Sequence, residues 1–317
     1  MASTGHSAAG EPRPVEVVCF GVITPCIVVA VEQFPQHNTG ALITGWGEFI
    51  YDDAAIVAGL LRGWQIPSGL IGTALGDDRR GREVVRQLRE VGVQGEFRLA
   101  PDLETPLEID VSDPSGARTY FWRREREILD TLDSADLSLL EGTRMLYVDW
   151  YDGDHILRAM DEADRLGIPV FLNLEHGHRD PELLDRYTRK ATICQAVTDV
   201  AQRRGDPLEV AETLLEAGAG TALVTLGAGG CLAASRDERL RVRPPRVSVV
   251  DGAAAGATFS AGYLYGYLRG WDLEESVRFA TAAASLKCKV VGPRAFPPQE
   301  IESFARGIIV EHVSISP

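Results

Sequence analysis

The chain has 317 residues, 45% of them hydrophobic and 25% charged, with a formal net charge of −14. That length holds one large α/β domain or two ordinary ones, and the composition suits a globular chain with a sizeable core. The acidic excess argues against non-specific binding to nucleic acid or to an anionic membrane, and it obliges any anionic ligand to find a locally favourable pocket.

The N-terminus, "MASTGHSAAGEPRP", is small and polar. It lacks the apolar core of a signal peptide, so residues 1–14 are expected to be a disordered tail. The run "VVCFGVITPCIVVAV" is too short to span a bilayer and is broken by Gly21 and Pro25. It reads as two buried strand segments. Cys19, Cys26, Cys194, Cys231 and Cys288 are scattered, odd in number and form no C-x-x-C pair. This argues against a disulfide framework or zinc ribbon and fits a reducing cytoplasm.

From there strands and amphipathic helices alternate. "VEVVCFGVI" reads as a strand, "DDAAIVAGLLRGW" as a helix and "PSGLIGTAL" as extended. "DRRGREVVRQLREVGV" is a helix with Val84, Val85, Leu88 and Val91 on one face and arginines on the other. "RMLYVDWY" is a strand, "GDHILRAMDEADRLGI" a helix ending at Gly167, and "PVFLNLE" a strand. "DPLEVAETLLEAGAG" is a helix and "TALVTLGAGG" a strand and turn, with further helices after Thr258 and Trp271. Such alternation implies a mostly parallel sheet with helices on both faces and a ligand at the carboxyl ends of its strands. Two segments break the rhythm. "LETPLEIDVSDPSGARTYFW" and "TGALITGWGEFIY" alternate with period two and read as antiparallel strands outside the main sheet, a lid or a dimer contact.

The stretch "VVDGAAAGATFSAGYLYG" carries the most chemistry. Asp251 ends a strand, residues 252–256 are all Gly or Ala, and a helix follows from Thr258. Small residues let backbone N–H groups approach a ligand, and a helix N-terminus adds partial positive charge. The turn is therefore a candidate anion site; the plainer alternative is a tight turn packed against a neighbour.

This stretch resembles the C-terminal signature of the ribokinase/PfkB family of sugar and nucleoside kinases, D-T-x-G-A-G-D-x-F. On that signature the first Asp is Asp251, the anion-hole residues are Ala254, Ala255 and Gly256, and the catalytic base falls on Ala257. "GLIGTALGDDRRGREVVRQLREVGV" is similar to the family's G-x-v-G-x-D-x-x-G segment at Gly69, Gly72, Asp77 and Gly81. "ALVTLGAGG" resembles its V-T-x-G-x-x-G turn, and "AAASLKCKVVGPRAFP" the helix and loop beside its adenine site. "ATICQAVTDVAQRRG" is closest to the ketohexokinase-like branch.

The resemblance implies a three-layer ribokinase-like α/β domain over residues 15–317, with lid strands at about 37–51 and 103–122. It implies ATP and Mg2+ as cofactors, phosphoryl transfer to an alcohol of a small sugar-like molecule, and a homodimer formed through the lid. Thr225, Gly227, Gly230, Ala284 and Cys288 would border the nucleotide. Asp199 and Glu175 would be the carboxylates left for a metal, and Cys26, Asp52, Asp53 and Glu175 would line the substrate pocket.

The departures bear on activity. Alanine at 257 removes the base that a family kinase needs beside the acceptor hydroxyl, and Asp251 is the nearest carboxylate in sequence. Cys26 stands where the family has an Asp for sugar hydroxyls. The Gly-Gly and Asn of the substrate motif are absent from "WGEFIYDDAAIVAG", and N-x-x-E is missing around residues 197–200. A methyl at Ala254 would crowd a bound phosphate. An Asp-to-Ala change alone is what a trap variant carries, but these further differences point to a member that has drifted. Three readings follow: a kinase with an altered site, a pseudokinase that binds or regulates, or an enzyme of new function using Cys26, Glu175 or the Asp52–Asp53 pair.

Other candidates have two readings each. "NLEHGHRD" offers Glu175, His176, His178 and Asp180 as a metal or acid–base group, or a polar loop with Asp180 capping a helix. In "YFWRREREI", Arg123, Arg124 and Arg126 either reach an anionic ligand or pair with Glu125 and Glu127. Asp149, Trp150 and Asp152 either line a polyol pocket or form a packed Trp beside surface acids. Cys26 is either a buried structural thiol or a nucleophile, for which no nearby base is evident.

Overall fold

The computed structural model describes residues 14–198 and 205–314. The expected tail therefore lies, Pro14 apart, outside the described residues. So does Asp199.

The chain enters the central sheet with β1 (Val17–Gly21) and passes directly into a second sheet through β2 (Thr24–Val31) and β3 (Ile43–Tyr51). It returns through α1 (Asp53–Gly63), β4 (Ser68–Gly72), β5 (Leu75–Gly76), α2 (Arg79–Val91) and β6 (Leu99–Ala100). A second excursion makes β7 (Leu107–Ser112) and β8 (Arg118–Arg123). Then come α3 (Arg126–Asp130), β9 (Met145–Asp149), α4 (His155–Leu166), β10 (Val170–Glu175), α5 (Pro181–Tyr187) and β11 (Ile193–Val197). The last third holds α6 (Pro207–Glu216), β12 (Thr221–Thr225), β13 (Cys231–Ser235), β14 (Arg239–Arg243), α7 (Ala255–Leu268), α8 (Leu273–Lys287), α9 (Pro298–Ala305) and β15 (Ile309–His312).

The nine-stranded sheet runs β15-β14-β13-β12-β11-β10-β9-β1-β4. From β4 to β12 every pairing is parallel; β13, β14 and β15 add an antiparallel edge. Successive strand residues point to opposite faces, so one strand feeds two cores. Val17, Cys19, Tyr147 and Phe171 pack with α1, α7 and α8, while Val18, Phe20, Leu146, Val148 and Leu172 pack with α4 and α6. That division makes the three layers.

Helix ends follow local chemistry. The Asp78 side chain accepts from Gly81 N and caps α2, and Gly92 stops it at φ 83°. Val84, Val85 and Leu88 are buried as their spacing implies; Val91, expected on the same face, is exposed in the last turn. At Gly81 a Cβ would stand 2.1 Å from the Gly76 carbonyl oxygen, so no larger residue fits there. Gly167 ends α4 in the left-handed region, as expected.

The smaller sheet has the order β3-β2-β7-β8. It takes in β2, and residues 37–42 are not strand, so it begins later in the segment expected at 37–51. Among the described residues no helix is long and apolar enough to cross a membrane.

Candidate active site

A cleft of about 310 Å³ lies between the smaller sheet and the carboxyl ends of the central strands. Its far wall is the start of α7, where Ala254, Gly256 and Ala257 line the space. The first turn of a helix has N–H groups with no intrahelical partner, so this wall presents donors and a positive dipole end. The buried Gln195 amide adds to it. Its Oε1 accepts from Ser260, while its Nε2 finds no partner among the described residues and lies 3.9 Å from where a Cβ on Gly256 would stand. An anionic group fits such a wall. The Ala257 side chain lines it and carries no proton acceptor.

Backbone strain gathers here. Five non-glycine residues among those described have positive φ, and three of them, Asp52 at 65°, Glu175 at 51° and Ala254 at 58°, line the cleft. Each costs on the order of 1 kcal/mol or more, and such strain tends to collect at ligand sites.

Beside the cleft three carboxylates gather around Asn173: Asp149 and Glu175 end β9 and β10, and Asp53 opens α1. Asn173 Nδ2 donates to Asp149 Oδ2 at 2.7 Å, Asp53 Oδ2 at 3.0 Å and Glu175 Oε1 at 3.1 Å. These three acids bring oxygens within 4.8 Å of one another, a hard-donor set that suits a divalent cation. Burial and the Glu175 charge push the Asp53 carboxyl up to about 7, and burial with Asp53 and Glu175 holds Asp149 well above its ordinary range. Glu175 Oε1 also lies 4.0 Å from the Cβ position of Gly256, beside the helix start. Asp52 accepts from Thr24 Oγ1 and sits 3.4 Å from Arg124, and both Asp52 and Asp53 line the cleft.

Two expected site residues are placed elsewhere. Asp251 is fully buried and its four acceptor positions are filled. Ser112 Oγ and Ala253 N donate to Oδ1, and Lys287 Nζ and Gly292 N donate to Oδ2. Burial works to raise its pKa, but Lys287 and these hydrogen bonds outweigh it and hold the carboxyl below its usual value. Asp251 is thus a structural anchor and cannot take a proton from a substrate hydroxyl. Cys26 is buried on β2 behind the cleft and is not part of its lining. Burial and the neighbouring Asp110 and Glu108 push its thiol far up, which removes it as a nucleophile.

Other expectations resolve plainly. The Asp180 side chain caps α5 by accepting from Glu182 N, and His176 packs on Trp150 with ring centroids 5.1 Å apart. Arg123 pairs with Glu104 and Glu125, and exposed Arg126 with Asp130. Asp152 is buried, accepts from Val22 N and is pushed up to about 8 by burial and Asp52. Thr225, Gly227 and Gly230 form the end of β12 and its turn, Gly230 with φ 88° and its Cβ position 2.0 Å from Val242 O. Ala284 and Cys288 lie one turn apart at the end of α8.

Sequence reasoning missed Glu108, Asp110 and Arg118, all lining the cleft. Burial works to lower the Arg118 pKa, but Glu175, Asp110 and Asp53 raise it on balance. The signal was present: in "LEIDVS" Glu108 and Asp110 alternate with apolar Leu107, Ile109 and Val111, which sets both acids on one face of the strand.

A mostly parallel α/β sheet, a helix start suited to an anion and a covering second sheet are the frame of the site, and comparison with known proteins gives the class and family. Residues 57–300 match the model of the pfkB family carbohydrate kinases, and the chain belongs to that family. It is 26% identical over 288 residues to the nucleoside kinase of Methanothermobacter thermautotrophicus, covering 88% of this chain and 91% of that one. A ribokinase candidate from Agrobacterium tumefaciens superposes with a TM-score of 0.80 at 23% identity, covering 92% of this chain and 97% of that chain. A ribokinase II candidate from E. coli, in complex with ATP and Mg2+, gives 0.78 at 20% identity, covering 92% and 99%.

Proposed function

We propose that the protein transfers a phosphoryl group from ATP to an alcohol of a small polyol, with the general base moved from the first turn of α7 to the end of β10. The supporting observation is Glu175. Its carboxylate lies 4.0 Å from the Gly256 Cβ position, on a backbone held at φ 51°. A base must reach the hydroxyl that attacks the phosphorus, and the hydroxyl must stand next to the anion-binding helix start. Glu175 borders that start, whereas Ala257 offers nothing and Asp251 is committed to Lys287.

In this reading the N–H groups of Ala255, Gly256 and Ala257, with Gln195 Nε2, receive the transferred phosphate. Thr225, Gly227, Gly230, Ala284 and Cys288 border the nucleotide. Asp53 and Asp149 have the hard oxygens to hold Mg2+ with the nucleotide phosphates, whose charge the ion would neutralise. Arg118 reaches across from the smaller sheet to balance charge at Glu175.

A pseudokinase is the second reading, favoured by the Ala254 methyl at the helix start and the missing base at 257. Calorimetric titration with Mg-ATP followed by a product assay over sugars and nucleosides separates the two. A phosphorylated product that is lost in Glu175→Gln supports the kinase. Nucleotide or sugar binding with both ligands returned unchanged supports the pseudokinase. Turnover without ATP would support the repurposed enzyme instead.

The smaller sheet also exposes Leu42, Ile43, Trp46, Phe121 and Trp122, each more than half exposed. Exposed apolar side chains on this sheet suit a homodimer formed through it, as the family resemblance implies. Light scattering of Trp46→Glu against the parent chain tests it. Five free cysteines suit a cytoplasmic setting.

A further inference from the structure

We propose that the polyol taken by this cleft carries a protonated amine, as in an amino sugar, seated against Glu108 and Asp110 of the smaller sheet. This rests on the reading of the cleft as the acceptor site. Glu108 and Asp110 are two apart on β7, so both project from the face turned to the cleft. The strand pairings surround them with specific neighbours. Cys26 of β2 is in register with Glu108, Trp122 of β8 lies opposite Glu108, and Tyr120 lies opposite Asp110.

Charge at this wall is unbalanced. Arg123 is paired with Glu104 and Glu125, and Arg124 faces Asp52. Arg118 is left to serve Glu175, Asp110 and Asp53 together. Burial, Asp52 and Asp110 push the Glu108 carboxyl up to about 8, and Asp110 is raised as well, chiefly by burial. Protons relieve this crowding in the absence of a cation; a ligand cation would do so with both acids ionised.

A second observation is independent of the acids' number. Asp110 is 3% exposed, and its Oδ1 has no donor among the described residues. Tyr51, 4% exposed, lines the same cleft with an unpartnered hydroxyl. Buried polar atoms are normally satisfied, so these two are placed for a ligand. An ammonium supplies three donors and a full charge, where a sugar hydroxyl supplies one donor and none. The exposed Tyr120 ring offers a face that attracts a cation, as the Trp122 ring already does for Arg124, 5.9 Å from its centroid.

The test is calorimetric titration of the full chain with matched ligands: glucosamine, galactosamine and mannosamine, each against its parent hexose and its N-acetyl form. At least one amine should bind about tenfold or more tightly than both counterparts, the scale of one hydrogen-bonded charge. Asp110→Asn and Glu108→Gln, nearly isosteric, should erase that preference with Mg-ATP binding unchanged. If either variant fails to fold, the comparison on the parent chain still decides. Equal binding of amine and parent, or no binding by any of them, overturns the proposal. Phosphorylation of neutral sugars without amine preference overturns it and leaves the kinase reading standing. Amine preference with no phosphoryl transfer supports it and overturns the kinase reading.

Discussion

Two sets of buried carboxylates stand on either side of the α7 N-terminus, and they are treated in opposite ways. Asp251 meets Lys287 at 2.7 Å and has every acceptor position filled. Asp53, Asp149 and Glu175 crowd one another around a single Asn173 amide. A buried charge that is paired and fully hydrogen-bonded holds a structure in place. Burial and neighbouring charge raise the Asp53 and Asp149 carboxyls, and such perturbation collects where ligands are handled. The first ties the smaller sheet, through Ser112, to the turn before α7; of the second, Asp53 and Glu175 line the cleft.

Variants can break this contrast. The largest effect is expected at Glu175. If it is the base, Glu175→Gln should lower phosphoryl transfer by roughly 10²–10⁴-fold while Mg-ATP binding persists. Adding Ala257→Asp to that variant should restore part of the rate, measured as product formed per enzyme in single turnover.

Asp251→Asn should act on stability instead. It leaves the Lys287 ammonium buried without a counter-charge, at about 3 kcal/mol, read as a lower urea midpoint. The pH dependence follows from the depressed Asp251 pKa. A carboxyl held below its ordinary 3.8 contributes stability above that value and loses it as pH falls through the folded value. The parent chain should therefore lose stability on acidification below about pH 4 more steeply than Asp251→Asn does.

Ala254→Gly should have a smaller and double effect. Relief of the left-handed backbone should stabilise the fold by about 1 kcal/mol. Removal of the methyl should tighten Mg-ATP binding in calorimetry; unchanged binding would show that the methyl does not crowd the phosphate.

At Asp152 the effect is read only in the pH dependence of stability. Its carboxyl is raised to about 8 from an ordinary 3.8, so between those values the folded chain holds a proton that the unfolded chain releases. Stability should then fall as pH rises across that window, and Asp152→Asn should flatten the slope of melting temperature between pH 5 and 8.

Much of the fold could be read from the chain. Alternating strands and helices are written in local periodicity, and Gly92 and Gly167 mark helix ends by the conformation they permit. The antiparallel edge was missed because "CLAAS" and "RLRVR" are short and carry no strong turn signal. The candidate site was legible in part. Small residues at 252–256 announce a helix start suited to an anion, and Glu175 and the Asp52–Asp53 pair fall at element ends lining the cleft. Asp251 and Cys26 were not legible, because what decides their roles is burial and partners far along the chain.

The sequence by itself determined the alternation, the family resemblance and the alanine at position 257, since each is a property of residue type and order. Only the tertiary structure decided which carboxylates are paired and which are crowded. Lys287 reaches Asp251 across 36 positions, and the β7–β8 register sets Arg118 over the cleft. Charge balance depends on distances of a few ångströms, and those exist only once distant strands and helices have packed.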